Sequence, residues 1–133
     1  MAMEQAESLR LLGLAKRAGR LAQGEDMVQE AAAAHKVRLL LLAADAAPGT
    51  VRRVRTLAGE RIAVMALPCG KAQLGAALGR DTCAVCAVTD LGFAAKIAGL
   101  VAGEDPALVP IAQELARKQE KLLQRKKTKP RRK

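Results

Sequence analysis

Tryptophan and tyrosine are absent from this chain of 133 residues, and Phe93 is its single phenylalanine. Stacking platforms for splayed bases are aromatic, so an RNP-type sheet reader or an aromatic-groove single-strand binder is not expected. No apolar run approaches the roughly 20 residues needed to cross a bilayer, which excludes a transmembrane segment. The N-terminal stretch carries Glu4 and Glu7 without a basic region or cleavage pattern, so no secretory signal is expected and the cytoplasm is the expected compartment. Three cysteines in that compartment read as thiols rather than disulfides. No glycine-rich phosphate loop follows a strand: Gly70 to Gly79 matches neither a P-loop nor a dinucleotide fingerprint.

Charge, by contrast, is abundant and unevenly placed. The whole chain has 23 basic and 13 acidic residues, a formal net charge of +10. Residues 117–133 hold ten basic groups against Glu120 alone, which leaves 13 basic and 12 acidic groups in residues 1–116. A near-neutral body therefore carries a polycationic tail, which repels itself and attracts polyanions by releasing their counterions. Nucleic acid is the partner this charge favours over a merely solubilising tail. A juxtamembrane role would need a lipid anchor or an insertion face, and neither accompanies the charges.

Half of the residues are apolar, enough for one globular core at this length. The spacing of Leu9, Leu11, Leu12, Leu14 and Ala15 predicts a helix over 4–16 that Gly19 ends, with Lys16 and Arg17 in its last turn. A short strand at 20–22 leads through Gln23-Gly24 into a second helix over 25–34, opened by Glu25 and Asp26. The run Leu39-Leu40-Leu41-Leu42 within 37–43 is apolar on both faces and predicts a central strand. Further helices are expected at 49–58, 71–78 and 91–101, with buried strands at 62–67 and 84–88. Strand and helix alternate over 20–101, which argues for a three-layer α/β/α sandwich around a small sheet. Beyond Gly103, Pro106 starts another helix in which Leu108, Ile111, Leu115 and Leu122 recur at helical spacing. Its first two turns can lie on the body before it runs into the tail, so the division expected is a domain over 1–103 and a helix with basic tail over 104–133.

Side chains with chemical potential are few. Cys83 and Cys86 form a C-x-x-C at the start of a predicted strand, where the two would point to opposite faces, and no second pair completes a zinc site. They read as buried thiols; no metal and no cofactor are expected. His35, the only histidine, falls at the end of the second helix, a surface position. Asp45 and Asp90 follow predicted strands, where catalytic carboxylates often stand, but each precedes a helix and reads as its N-cap. Arg52, Arg53 and Arg55 read as a solvated helix face. Lys16, Arg17 and Arg20 flank the helix start at Gly24, and free backbone amides beside cations favour phosphate, although Glu25 and Asp26 oppose it. No enzyme is indicated.

The stretch Leu11-Leu12-Gly13-Leu14-Ala15-Lys16-Arg17-Ala18-Gly19-Arg20-Leu21 followed by Gly24 resembles the YlxQ-like bacterial branch of the ribosomal protein L7Ae family. Leu41–Ala46, Leu74–Gly79 and Val88–Ala94 agree in order and spacing, and the resemblance spans residues 8–100. It implies an α/β/α sandwich that binds RNA kink-turns, with the start of the second helix entering the major groove and a nearby loop covering an extruded nucleotide. Carried over by position, the RNA-binding residues are Gln23, Gly24, Glu25, Asp26, Met27 and Glu30, and the loop is Arg80-Asp81-Thr82. Where RNA-binding members tend to have Thr, Asn, Glu and Lys after the glycine, this chain has Glu25, Asp26, Met27 and Glu30. A carboxylate facing guanine acceptors opposes binding by about 1–3 kcal/mol. The function expected is non-catalytic binding of structured RNA, ribosomal RNA included, with the tail adding sequence-independent affinity. A protein-interaction module of the same fold is the alternative.

Overall fold

The computed structural model describes residues 3–128, with side chains over 7–126. Helix α1 (Met3–Arg17) leads into strand β1 (Leu21–Gln23), then α2 (Glu25–Ala33), β2 (Leu39–Leu42) and α3 (Pro48–Ala58). Strand β3 (Ala63–Ala66), α4 (Lys71–Ala77), β4 (Val85–Val88) and α5 (Leu91–Glu104) follow, and a 3-10 turn at Pro106–Leu108 opens α6 (Val109–Thr128). The four strands form one mixed sheet in the order β1-β4-β2-β3. β4 runs antiparallel to β1 and β2, whereas β3 runs parallel to β2.

Side-chain alternation divides the sheet into two faces. Leu39, Leu41, Cys86 and Val88 join α1, α4, α5 and Leu115 of α6 in the larger core. Leu40, Leu42, Val85 and Ala87 face α2 and α3 through Val28, Val54 and Ala58. Both cores exist because β2 and β4 are apolar at every position and buried at every position, as a strand covered on both sides must be. The expected three-layer sandwich is the fold observed.

Two sequence expectations change. Strand β3 is an edge strand rather than a buried one: Met65 is buried, Ala63 and Val64 are half-buried, and Ala66 is exposed. Its short apolar side chains had made it look like β2. Cys83 and Cys86 do not point to opposite faces, because β4 begins only at Val85 and alternation does not extend back to Cys83. Both lie in the larger core with Cys69. Burial pushes the Cys83 and Cys86 thiols up in pKa, and the neighbouring thiols add to the shift at Cys86. Such thiols are weak nucleophiles and poor ligands, and no metal-holding cluster occurs among the described residues.

Register defines two ends of the sheet. At one, Gln23 and Leu42 flank the start of β4, and Gly24 N donates to Val85 O at 3.0 Å. At the other, Leu21 and Leu39 flank Val88, with Ala63 beside Leu39. Three residue steps of β4, about 10 Å, separate Val85 from Val88. The 3-10 turn and helix α6 both pack on α5, with Leu108 of the turn and Ile111, Ala112 and Leu115 of α6 in the larger core. From Glu120 to Lys126 every residue is exposed, so the helix leaves the body nearly two turns later than expected. No helix of the described residues is long and apolar enough to cross a membrane.

Candidate nucleic-acid interface

Gly24 turns the chain from β1 into α2 with φ 84° and ψ 159°, a backbone that side chains disfavour. A Cβ there would also lie 3.3 Å from Arg80 Nη1. As a glycine it provides no side-chain cap, and the first intrahelical bond is from Val28 N to Gly24 O at 3.0 Å. The amides of Glu25, Asp26 and Met27 therefore point out of the helix without an intrahelical acceptor, at its positive end.

Arg80 is held at this corner by the fold beneath it. Gly75 packs so closely under the loop that a Cβ would stand 2.7 Å from Thr82 Cα and 2.9 Å from Arg80 O. Arg80 N donates to Gly75 O at 2.8 Å, and Cys83 N to Lys71 O at 3.0 Å, so both ends of the loop are tied to α4. Lys16 reaches across from α1 and its ammonium donates to Leu78 O, fixing the base of the loop. The loop residues Arg80, Asp81 and Thr82 are all exposed.

The acidic start of α2 is compensated unequally. Glu25 forms a two-pronged pair with Arg53 of α3, with Nε to Oε2 at 2.6 Å and Nη2 to Oε1 at 2.9 Å. The hydrogen-bonded guanidinium holds the Glu25 carboxyl below its ordinary pKa, against a smaller opposing effect of burial. Arg53 is thus a partner of the helix start rather than part of a uniformly solvated face. Asp26, Glu30 and Asp81 are exposed and take no ion pair among the described residues. Gln23 is half-buried, and its Oε1 has no hydrogen-bond partner among the described residues.

Of the sequence-predicted site residues, Gly24, Glu25, Asp26 and Arg80 meet at the corner, with Asp81 and Thr82 continuing the loop. Met27, 54% exposed, and Glu30 lie farther along, lining a groove between α2 and β1 with Lys36 and Thr89. Arg17 folds along α1, its Nη1 3.9 Å from where a Gly13 Cβ would be. Arg20 is not beside Gly24. It precedes β1, and its carbonyl accepts from Thr89 N at 3.0 Å, which places it at the Val88 end of the sheet. The strand between them was too short in the sequence to suggest that separation.

The capping expectations divide as well. Asp90 caps α5, its Oδ2 accepting from Phe93 N at 2.9 Å. Asp45 caps a helix other than the next one: its Oδ1 accepts from Lys71 N of α4 at 2.7 Å, while α3 begins without a side-chain cap. Sequence reasoning missed that contact and the Glu25–Arg53 pair because both join residues far apart in the chain.

Residues 6–98 match the ribosomal protein L7Ae/L30e/S12e/Gadd45 family. The chain belongs to this family. A relative named RNA-binding protein YlxQ, from Bacillus subtilis, is 34% identical over 99 residues, covering 74% of this chain and 99% of its own. A solved structure of a protein of unknown function from Bacillus halodurans is 36% identical, with a TM-score of 0.67 over 72% of this chain and 97% of that one. The Giardia lamblia 15.5kD RNA binding protein shares the fold, with a TM-score of 0.62 at 20% identity over 81% of this chain and 92% of its own. The L7Ae-family match ends before α6, which is therefore outside the matched region.

Proposed function

We propose that this chain is a non-catalytic RNA-binding protein that recognises structured, kink-turn-like RNA at the Gly24–Arg80 corner, with ribosomal RNA as its natural class of partner. The observation that carries this reading is the open helix start: uncapped amides of α2 beside the Arg80 guanidinium, with Glu25 already paired to Arg53. An anionic phosphate fits there, since amides, helix dipole and guanidinium all favour it. The family and the name of the Bacillus subtilis relative support RNA as its source. The body at 1–103 would read shape, and the helix and tail at 104–133 would add charge. The tail beyond Thr128 lies outside the described residues.

Glu30 sets the limit on groove readout. A titration of kink-turn RNA against a matched straight duplex, at two salt concentrations, is expected to show tighter binding to the kinked form. Glu30→Lys should strengthen that preference by roughly tenfold, by replacing an opposed base contact with a favourable one. Equal binding to both RNAs by the native chain and by Glu30→Lys would refute corner recognition. The exposed acids Asp26, Glu30 and Asp81 would then favour a protein-interaction module.

A further inference from the structure

The displaced Arg20 leads to a surface that the corner does not use. At the Val88 end of the sheet the backbone gathers cations from four elements. Thr89 N donates to Arg20 O, and Arg38 N donates to Val88 O at 2.8 Å. Arg38, Arg61 and Lys118 line one cavity of about 350 Å³ between the sheet end and α6. Lys36 stands at the adjoining groove beside Thr89. All five cations are exposed, and none is in an ion pair among the described residues. The acids facing them are fewer and partly engaged. Glu114 is paired with Arg117 at 2.6 Å, Asp90 is occupied as a cap, and Glu60 and Glu30 remain.

Helix α6 extends this patch. It runs back along α5 until Gln119 lies over the start of that helix, where Nε2 is 3.2 Å from a Gly92 Cβ position. Residues 120–128 continue as helix, an overhang of about 13 Å at 1.5 Å per residue, carrying Lys121, Arg125, Lys126 and Lys127 against Glu120. The polycation therefore starts at the Val88 end, the opposite end of the sheet from Gly24.

We infer that the Val88 end, with Arg38, Arg61 and Lys118 at its centre and α6 as its extension, is a second RNA-binding surface that holds the backbone of a duplex arm while the corner holds the kink. This rests on the RNA-binding reading above. Duplex backbone is the occupant the charge selects: Arg38, Arg61 and Lys118 are exposed around an aliphatic lining of Val37, Ile62, Leu91 and Ile111 that holds no aromatic for base stacking, and such cations neutralise phosphates and read no sequence. A groove of about 290 Å³ between α2 and β1, lined by Leu21, Met27, Glu30, Lys36 and Thr89, lies beside the Val88 end.

The test uses the full chain and its Arg38→Gln/Arg61→Gln variant, which leaves tail and corner intact. Binding of straight duplex RNA and of kink-turn RNA with duplex arms is measured across a salt series, with a thermal melt to verify folding. The expected result is about tenfold weaker binding of the straight duplex at low salt and a salt slope reduced by about two, as for two lost phosphate contacts. The preference for kinked over straight RNA should not fall. Unchanged duplex affinity and slope would overturn the inference, and would leave these cations to a protein partner. The corner reading is judged separately, by whether the native chain prefers kinked RNA at all. Loss of that preference alone, with duplex affinity kept, would also overturn the assignment, because the two arginines would then belong to the corner.

Discussion

His35 stands where α2 must end in a left-handed turn, at φ 57°. Its amide bonds to Ala32 O at 3.0 Å, and that of Lys36 to Ala31 O at 3.0 Å, the paired closure that glycine usually provides. A Cβ in this conformation costs about 1 kcal/mol, so His35→Gly should raise stability by about that much, read as a higher denaturation midpoint in urea. The histidine was legible as a surface residue at a helix end, but its backbone strain was not, since histidine there reads as a charge for the dipole. The Glu25–Arg53 pair tests electrostatics at the same scale. The depressed Glu25 pKa gives stability that is present above the unfolded carboxylate value and lost as pH falls through the folded one. Arg53 is exposed and Glu25 only half-buried, so solvent screens the pair, the effect is small and it is best read directly. In Arg53→Gln, the carbon-detected NMR titration midpoint of Glu25 should move up toward the ordinary value. RNA binding at the corner should weaken with it, because an unpaired carboxylate is then left beside the helix amides; a stationary midpoint would remove Arg53 from the site.

Loop 79–84 connects α4 to β4, and the position of Arg80 depends on how firmly α4 is seated. Asp45 bonds the first amide of α4, and a Cβ on Gly70 would sit 3.1 Å from its carboxylate. Asp45→Ala should therefore cost about 1 kcal/mol. Its distinguishing sign is faster amide exchange at Lys71 and in the Arg80 loop, with α3 unaffected; faster exchange in α3 instead would restore the sequence-based assignment of this cap. Gly75→Ala acts from the other side of α4. Its Cβ meets the backbone of Thr82 and Arg80, which cannot yield as a flexible side chain would, so a loss of about 1–3 kcal/mol is expected in denaturant unfolding, with Arg80 displaced from Gly24. Elements of this kind were largely legible. Apolar period, glycine stops and the four-leucine run placed every helix and strand to within a few residues, because local pattern determines them. The α4–loop contacts were not legible, since they depend on backbones that approach only in the folded chain, and the edge position of β3 is decided by strand order rather than by its own composition.

For the whole molecule, the proposed function separates recognition from affinity in space: the Gly24–Arg80 corner lies at one end of a short sheet, and a basic surface begins at the other and continues along α6. The sequence located the polycation by simple counting but not its direction, because only the packing of α6 back along α5 determines which end it leaves. Truncation after Gln119 removes eight basic residues and Glu120 while keeping the buried Leu115 and the contact over Gly92. Residues 120–126 are exposed throughout, so the melting temperature of the truncated chain should stay close to that of the full chain. RNA binding should respond differently. If half of the removed cations contact phosphate, the slope of log affinity against log salt should fall by about 3–4, and affinity for kinked and straight RNA should drop together. If the proposed corner sets the preference between the two, at the end of the sheet about 10 Å from Val88, that preference should survive. A truncated chain that binds weakly but still prefers the kink places shape recognition in the body; one that keeps its affinity and loses its preference would place it in α6 instead, and the corner would have to be reassigned.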